Sequence, residues 1–298
     1  MFKHLLVPLD GSTLAEAVLP AAACLAQALK ARVTLLHVIE VDAPPAVHGE
    51  RHLTAAAEAA DYLEAVGRRF FGADIDLEHH VHTAAMKDVA RGIVLHEAEL
   101  AHDLVIMGTH GRGGLRDLLF GRIAQQVVAA GSLPVLLIRP QAPATQGTFL
   151  CRRILAPTDG DPAHAPGLQL AFELAQAMGA RLDLLGVVPT LNRLTGRIAT
   201  TSRFAPGTSQ AMLEMAEADL GRFLQSRIVD FKKAGVTAGA RLERGDPAQV
   251  IAASAETQNA DLIVLGTHGK SGAAAFWTQS ISPKVMAQTM RPLLLVPV

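Results

Sequence analysis

At 298 residues and 31.4 kDa the chain is about twice the common domain size, which predicts two domains. Half of it is apolar and 18% is charged, which excludes intrinsic disorder; 27 basic residues against 28 acidic ones leave no basic excess to drive nucleic-acid binding. Two cysteines, Cys24 and Cys151, are too few for a disulfide framework or a cysteine-rich zinc site, and two reduced thiols in a cytoplasmic protein are expected.

The opening MFKHLLVPLDGS has too short an apolar run for a signal peptide. The most apolar longer stretch, 14–31, is interrupted by Glu16, Pro20, Gln27 and Lys30, so a soluble chain without membrane association is expected. In chain order, apolar runs fall at 5–9, 33–39, 75–81, 104–107 and 135–138. Their lack of polar alternation fits strands buried on both faces. Between the first two, Leu14, Val18, Ala21, Leu25 and Leu29 mark one helical face, with Ser12 or Thr13 as cap. Further helices are predicted over 53–70, 87–100 and 118–129.

The pattern then repeats. HLLVPLDGS (4–12) is echoed by RILAPTDGD (153–161), VTLLHVIE (33–40) by LDLLGVVP (182–189), DLVIMGTHGRGG (103–114) by DLIVLGTHGKSG (261–272), and LPVLLIRP (133–140) by RPLLLVPV (291–298). The offset is 149 between Asp10 and Asp159 and 158 between Gly108 and Gly266, so the second copy carries about nine extra residues in its middle. Four collinear echoes indicate duplication: domain one over 1–140, a linker over 141–150, domain two over 151–298. Alternating strands and helices predict an α/β fold, two tandem doubly wound parallel sheets. Ligands in such sheets sit beyond the strand C-termini at the switch point.

Three segments, 8–12, 38–40 and 107–114, fall at those strand ends. GTHGRGG places four glycines in seven residues after a strand, so its amides can approach an oxyanion; the helix starting near Gly121 adds a positive dipole end. A plain tight turn is the alternative. Asp10 is placed to accept from ribose hydroxyls. The Walker pattern fails, because its first glycine falls on Val264, and the dinucleotide pattern fails at Arg116.

These residues resemble the universal stress protein family over essentially the whole chain, as two tandem domains. Its signature is glycine, two residues, glycine, nine residues, then glycine and a hydroxyl residue. Gly108, Gly111 and Gly121 match in the first copy, with Arg122 replacing the hydroxyl; Gly266, Gly269 and Ser280 match in the second, with Gln279 replacing the third glycine. The resemblance implies a stress-response protein binding ATP or another adenine nucleotide, with Mg2+ on the phosphates, by binding or signalling rather than turnover. By position the first site would comprise Pro8, Asp10, Val38, Met107, Gly108, His110, Gly111, Gly121, Arg122 and Ile123. The second would comprise Pro157, Asp159, Val187, Leu265, Gly266, His268, Gly269, Ser280 and Ile281, weakened by Gln279. The first is favoured. The alternatives are an interaction protein whose altered sites have lost nucleotide, with or without a metal, and a slow ATPase.

No nucleophile–base set stands out, so no catalytic residues are assigned. In EHHVH (78–82), His80 and His82 share a strand face opposite His79 and could take a metal with His48 or His52, although solvated histidines are the simpler reading and no metal site is assigned. Met212 and Met215 are expected in the core, and the loop 190–208, with Arg193, Arg197 and Arg203, is expected to be solvated or a lid over an anion. The runs 135–138 and 293–296 are expected as sheet edges that cover each other, pairing the copies within one chain; a homodimer of the whole chain is left open.

Overall fold

In the computed structural model, residues 1–109, 121–140, 149–190, 206–267 and 281–297 are described, and the chain divides into two compact units. The first contains Met1–Leu150 and Pro292–Pro297; the second contains Cys151–Thr267 and, of the later described residues, 281–291. The expected loop residues His110, Gly111, His268, Gly269, Gln279 and Ser280, the linker 141–148 and the loop 191–205 lie outside the described residues.

The first unit builds the alternation read from the sequence. Strand β1 (His4–Pro8) is followed by a 3₁₀ turn (Ala15–Val18) and helix α1 (Leu19–Leu29), then β2 (Arg32–Glu40). A short hairpin, β3 (Ala46–Val47) and β4 (Glu50–Arg51), precedes α2 (Ala56–Phe70) and β5 (Leu77–Met86). Helix α3 (Val89–Glu99), β6 (Leu104–Gly108), α4 (Arg122–Ala130) and β7 (Val135–Ile138) complete it. The sheet order is β7-β6-β1-β2-β5, all parallel. Leu5, Leu6, Val7, Leu35, Leu104, Val105 and Ile106 are almost fully buried, as helices on both faces require. Strand β5 departs from the expectation: it is the outer edge, starts at Leu77 rather than Ile75, and is half exposed. Its parallel partner on one side only explains why a histidine-rich sequence is tolerated there.

The expected caps are present in altered form. The Ser12 hydroxyl accepts from the Ala15 amide, so it closes the 3₁₀ turn rather than α1 itself. In α2, Ala59, Leu63, Val66 and Gly67 form the buried stripe.

The second unit contains β8 (Arg153–Thr158), a 3₁₀ turn (Pro162–His164) capped by Asp161, α5 (Ala165–Met178), and β9 (Arg181–Val188). Then come α6 (Pro206–Lys233), β10 (Ala238–Arg244), α7 (Pro247–Thr257), β11 (Leu262–Thr267) and α8 (Ser282–Gln288). Its sheet order is β10-β9-β8-β11. Two details repeat between units. The Asp103 carboxylate accepts from the Lys3 and His4 amides, and the Asp261 carboxylate from the Arg152 and Arg153 amides, each bracing the first strand against the fourth. Helix α1 ends in left-handed Lys30 and α5 in left-handed Gly179, 149 residues later.

Strand β12 (Leu293–Pro297), the end of the second sequence repeat, is antiparallel to β7 (Leu293 opposite Leu137, Leu295 opposite Val135) and belongs to the first unit. The apolar edge 135–138 is thereby covered. Met212 and Met215 are not core residues: they are 58% and 67% exposed, because α6 buries Leu220, Leu224, Ile228 and Phe231 in its later turns. Helix α6 also begins at Pro206, inside the segment expected to be loop.

One core feature carries a pH prediction. Glu97 on α3 is buried against the segment after α4, where its carboxylate accepts from the Ser132 amide while Oε1 has no partner among the described residues. Burial pushes its carboxyl up to about 7. The folded state therefore holds this proton more tightly than the unfolded chain, and its contribution is full below about pH 4.5 and is lost as pH rises through about 7. Tm is expected to fall by on the order of 5 °C between about pH 5 and about pH 8, and Glu97→Gln to flatten that dependence in a calorimetric pH series.

Candidate functional site

The strand order reverses between β1 and β6, and a cavity of about 450 Å³ opens at that point. All the described residues expected at the first site line it: Pro8, Asp10, Val38, Met107, Gly108, Gly121, Arg122 and Ile123. Each reaches the cavity for a simple reason. Pro8 and Asp10 leave the end of β1, Val38 sits near the end of β2, and Met107 and Gly108 end β6. Val38 and Met107 are nearly buried and form an apolar floor, while Arg122 and Ile123 are exposed in the first turn of α4. Gly121 caps that helix and donates its amide to the Thr109 carbonyl; a Cβ here would stand 3.2 Å from that carbonyl oxygen. The amides of α4 and the Arg122 guanidinium make this rim electropositive.

The Asp10 carboxylate is already organised. Its Oδ1 accepts from the Ser12 amide (2.9 Å) and hydroxyl (2.6 Å), and its Oδ2 lies 3.2 Å from His48 Nε2. Burial works to raise the Asp10 carboxyl, but the hydrogen bonds from His48 and Ser12 outweigh it and hold it below its ordinary value. The hydrogen bond to Asp10 raises His48 against the opposing effect of burial. A carboxylate offers about four lone-pair positions, so three bonds leave one for a ligand hydroxyl.

His48 and His52, which the sequence offers only as possible loop partners for His80 and His82, both line the cavity instead. His48 and Gly49 take left-handed conformations (φ 51° and 86°), the two-residue turn that joins β3 to β4. Glu50 of this hairpin accepts from the Thr13 amide and hydroxyl, fastening it to the turn after β1. His37, buried beneath, faces the Leu9 carbonyl with Nδ1 (2.9 Å) and the Leu53 carbonyl with Nε2 (3.0 Å), bracing the same segment from below. His52 lies 3.9 Å from Glu40, and its buried Nδ1 has no hydrogen-bond partner among the described residues. A cavity wall with such an atom suits a ligand that carries polar groups of its own. Neither the hairpin nor these braces was read from the sequence, although Val47-His48-Gly49-Glu50 carries the turn signal.

The ion pair gives the hairpin a pH dependence. Asp10, lowered, contributes above about pH 3.8, and His48, raised, contributes fully below about pH 6.5 and is lost as pH climbs through its folded value. Amide exchange of residues 46–51, corrected for intrinsic rates, is expected to be several-fold faster at about pH 8.5 than at about pH 5.5. In His48→Ala that difference should vanish.

In the second unit Asp159 is more exposed than Asp10 (56% against 34% of the side chain), accepts from the Asp161 amide and pairs with His164 at 2.9 Å. Burial works to raise it, but the His164 bond and charge together with the backbone hydrogen bonds outweigh that and lower it. Pro157, Val187 and Gly266 are half-buried and Leu265 is buried at the matching strand ends. A Cβ on Gly167 of α5 would lie 2.9 Å from the Gly266 backbone, so α5 meets β11 backbone to backbone; a Cβ placed on Gly108 would meet Pro140 Cγ at 3.5 Å and Val18 Cγ1 at 3.9 Å. Of the histidine pair, His80 and His82 lie beside His96 of α3, and His79 faces α2, where its Nε2 is 2.5 Å from a Cβ placed on Gly67.

Comparison with known proteins agrees with this geometry. The model of the universal stress protein family matches twice, over residues 1–139 and 151–297. A universal stress protein of Mycolicibacterium smegmatis is 28% identical over 299 residues, covering 98% of this chain and 96% of the relative. Universal stress protein A homolog 1 of Coxiella burnetii is 31% identical over 143 residues, 46% of this chain and 96% of its own length. Among solved structures, a universal stress protein from Archaeoglobus fulgidus shares the fold at 16% identity, with a TM-score of 0.66 over 99% of this chain and 96% of that one. With a strand order that reverses between β1 and β6 in the first unit, its counterpart order in the second, and two collinear matches, the chain belongs to the universal stress protein family, as a tandem member.

Proposed function

We propose that the protein binds an adenine nucleotide, ATP or a relative, in the cavity of the first unit and acts through that binding rather than through turnover. The observation that carries the reading is the convergence of eight expected residues on one cavity at the sheet's switch point. About 450 Å³ lies within the range of small-molecule sites. The apolar floor of Val38 and Met107 suits a base, and Asp10 retains capacity for a ribose hydroxyl. The first turn of α4 with Arg122 suits phosphates, with Mg2+ carried on them. The greater exposure of Asp159 than of Asp10 supports the preference for the first copy.

Among the described residues no helix is long and apolar enough to cross a membrane; the role we propose is a cytoplasmic stress response, by family membership. The test is mass spectrometry of small molecules released from the natively purified protein, followed by titration with Mg-ATP. One nucleotide per chain is expected. Reversing the rim charge in Arg122→Glu should weaken it by about tenfold or more. Absence of any adenine nucleotide from the released fraction, together with a flat titration, would reject the reading.

A further inference from the structure

Away from the cavity, the edge strand carries three converging imidazoles. His80 and His82 sit two residues apart on β5 and therefore on one face. Helix α3 covers that face: Ala90 and Ile93 point into the sheet, Leu95 points to solvent, and His96, one turn beyond Ile93, is only 3% exposed. The rings meet edge to face rather than stacked, with His96 at 4.6 Å and 68° from His80 and at 5.0 Å and 72° from His82. One nitrogen from each ring lies within 4.8 Å of the others, and His82 Nδ1 is 3.0 Å from His96 Nε2.

We propose that His80, His82 and His96 form a zinc site, with water in the fourth coordination position. A tetrahedral zinc with Zn–N bonds of about 2.0–2.1 Å needs nitrogens about 3.3–3.4 Å apart. The His82–His96 pair is within a few tenths of an ångström of that, and His80 on the half-exposed edge has room to close the remainder. Three neutral imidazoles without a carboxylate in the set select a borderline-soft divalent ion over Mg2+ or Ca2+. The proton now shared between His82 Nδ1 and His96 Nε2 moves to the other nitrogen of its own ring, so loading needs a tautomer change and no oxidant or co-reactant. Neighbouring charge favours the site: Glu78 lies on the same strand face, and the His102 Nδ1–H donates to the His96 carbonyl. The site is independent of the nucleotide reading. It ties α3, whose Val89 and Ile93 line the cavity, to the sheet edge.

The test is equilibrium dialysis of the tag-free, full-length protein against zinc chloride. One zinc per chain is expected at micromolar or lower free metal, and His80→Ala/His82→Ala should lose it by at least about 100-fold with far-UV circular dichroism unchanged. His79→Ala, on the opposite face, should bind as the parent does. Because His96 is buried, the double edge variant keeps the test usable if His96→Gln fails to fold. Cobalt loading supplies a second readout: the visible bands of four-coordinate Co2+ should appear in the parent and be absent from the double variant. Binding retained in that variant, or none in the parent below millimolar zinc, overturns the proposal.

Discussion

Asp10→Ala is expected to weaken Mg-ATP binding by about tenfold to 100-fold, read by titration calorimetry at constant pH. The range corresponds to about 1.5–3 kcal/mol for a hydrogen bond to a charged group. The physical basis is the order already built around this carboxylate. Ser12 holds Oδ1 with two bonds and His48 approaches Oδ2, so the side chain cannot turn away and its remaining lone pair is fixed at the cavity wall. A fixed acceptor loses little entropy when a ribose hydroxyl arrives. Part of any loss could come from a loosened hairpin, so His48→Ala is the control. It removes the latch while leaving the Asp10 carboxylate, and its effect on affinity should be only a few-fold. An Asp10→Ala affinity equal to that of the parent would show that the nucleotide, if bound, does not use the first cavity.

How much of this was legible beforehand follows from what kind of signal each feature leaves. Buried parallel strands leave uninterrupted apolar runs, which is why 5–9, 33–39, 104–107 and 135–138 coincide with β1, β2, β6 and β7 to within a residue or two. Site residues at strand ends inherit that accuracy, because their position is set by where a buried run stops. The third strand was misjudged as doubly buried since 75–81 mixes Ile75 and Val81 with the charged and histidine residues of an edge. The hairpin of β3 and β4 has two residues per strand, too short for any periodicity, and its placement rests on long-range bonds from Glu50 to Thr13 and from His37 to Leu53. Local sequence carries no trace of such partners. Likewise, the third histidine beside His80 and His82 is supplied by tertiary packing of α3, which a search for loop histidines such as His48 and His52 passes over. The misplacement of Met212 and Met215 has the same origin: apolar residues at helical spacing look alike whether or not a sheet lies beneath them.

Gly167→Val is expected to destabilise the second unit by about 3 kcal/mol, a fall of roughly 6–12 °C in its Tm. A Cβ at Gly167 would meet the Cα and N of Gly266 at 2.9 Å, and both are main-chain atoms of a strand held by its neighbours, so neither can step aside as a flexible side chain would. The 149-residue offset places Val18 at the matching position of the first copy, where its side chain fills the space against β6 instead. The two copies therefore solve one packing problem differently: helix backbone against strand in the second, side chain against strand in the first. Gly207→Ala is the control, because none of the described residues lies within 4 Å of the added methyl, and its stability should stay within about 0.5 kcal/mol. Below the lowered transition, Gly167→Val should still bind Mg-ATP within about twofold of the parent, since the substitution touches only the second unit. An unchanged Tm would mean that α5 can retreat from β11 at no cost. A lost ATP signal with Tm lowered as expected would place the nucleotide in the second copy, beside Gly266.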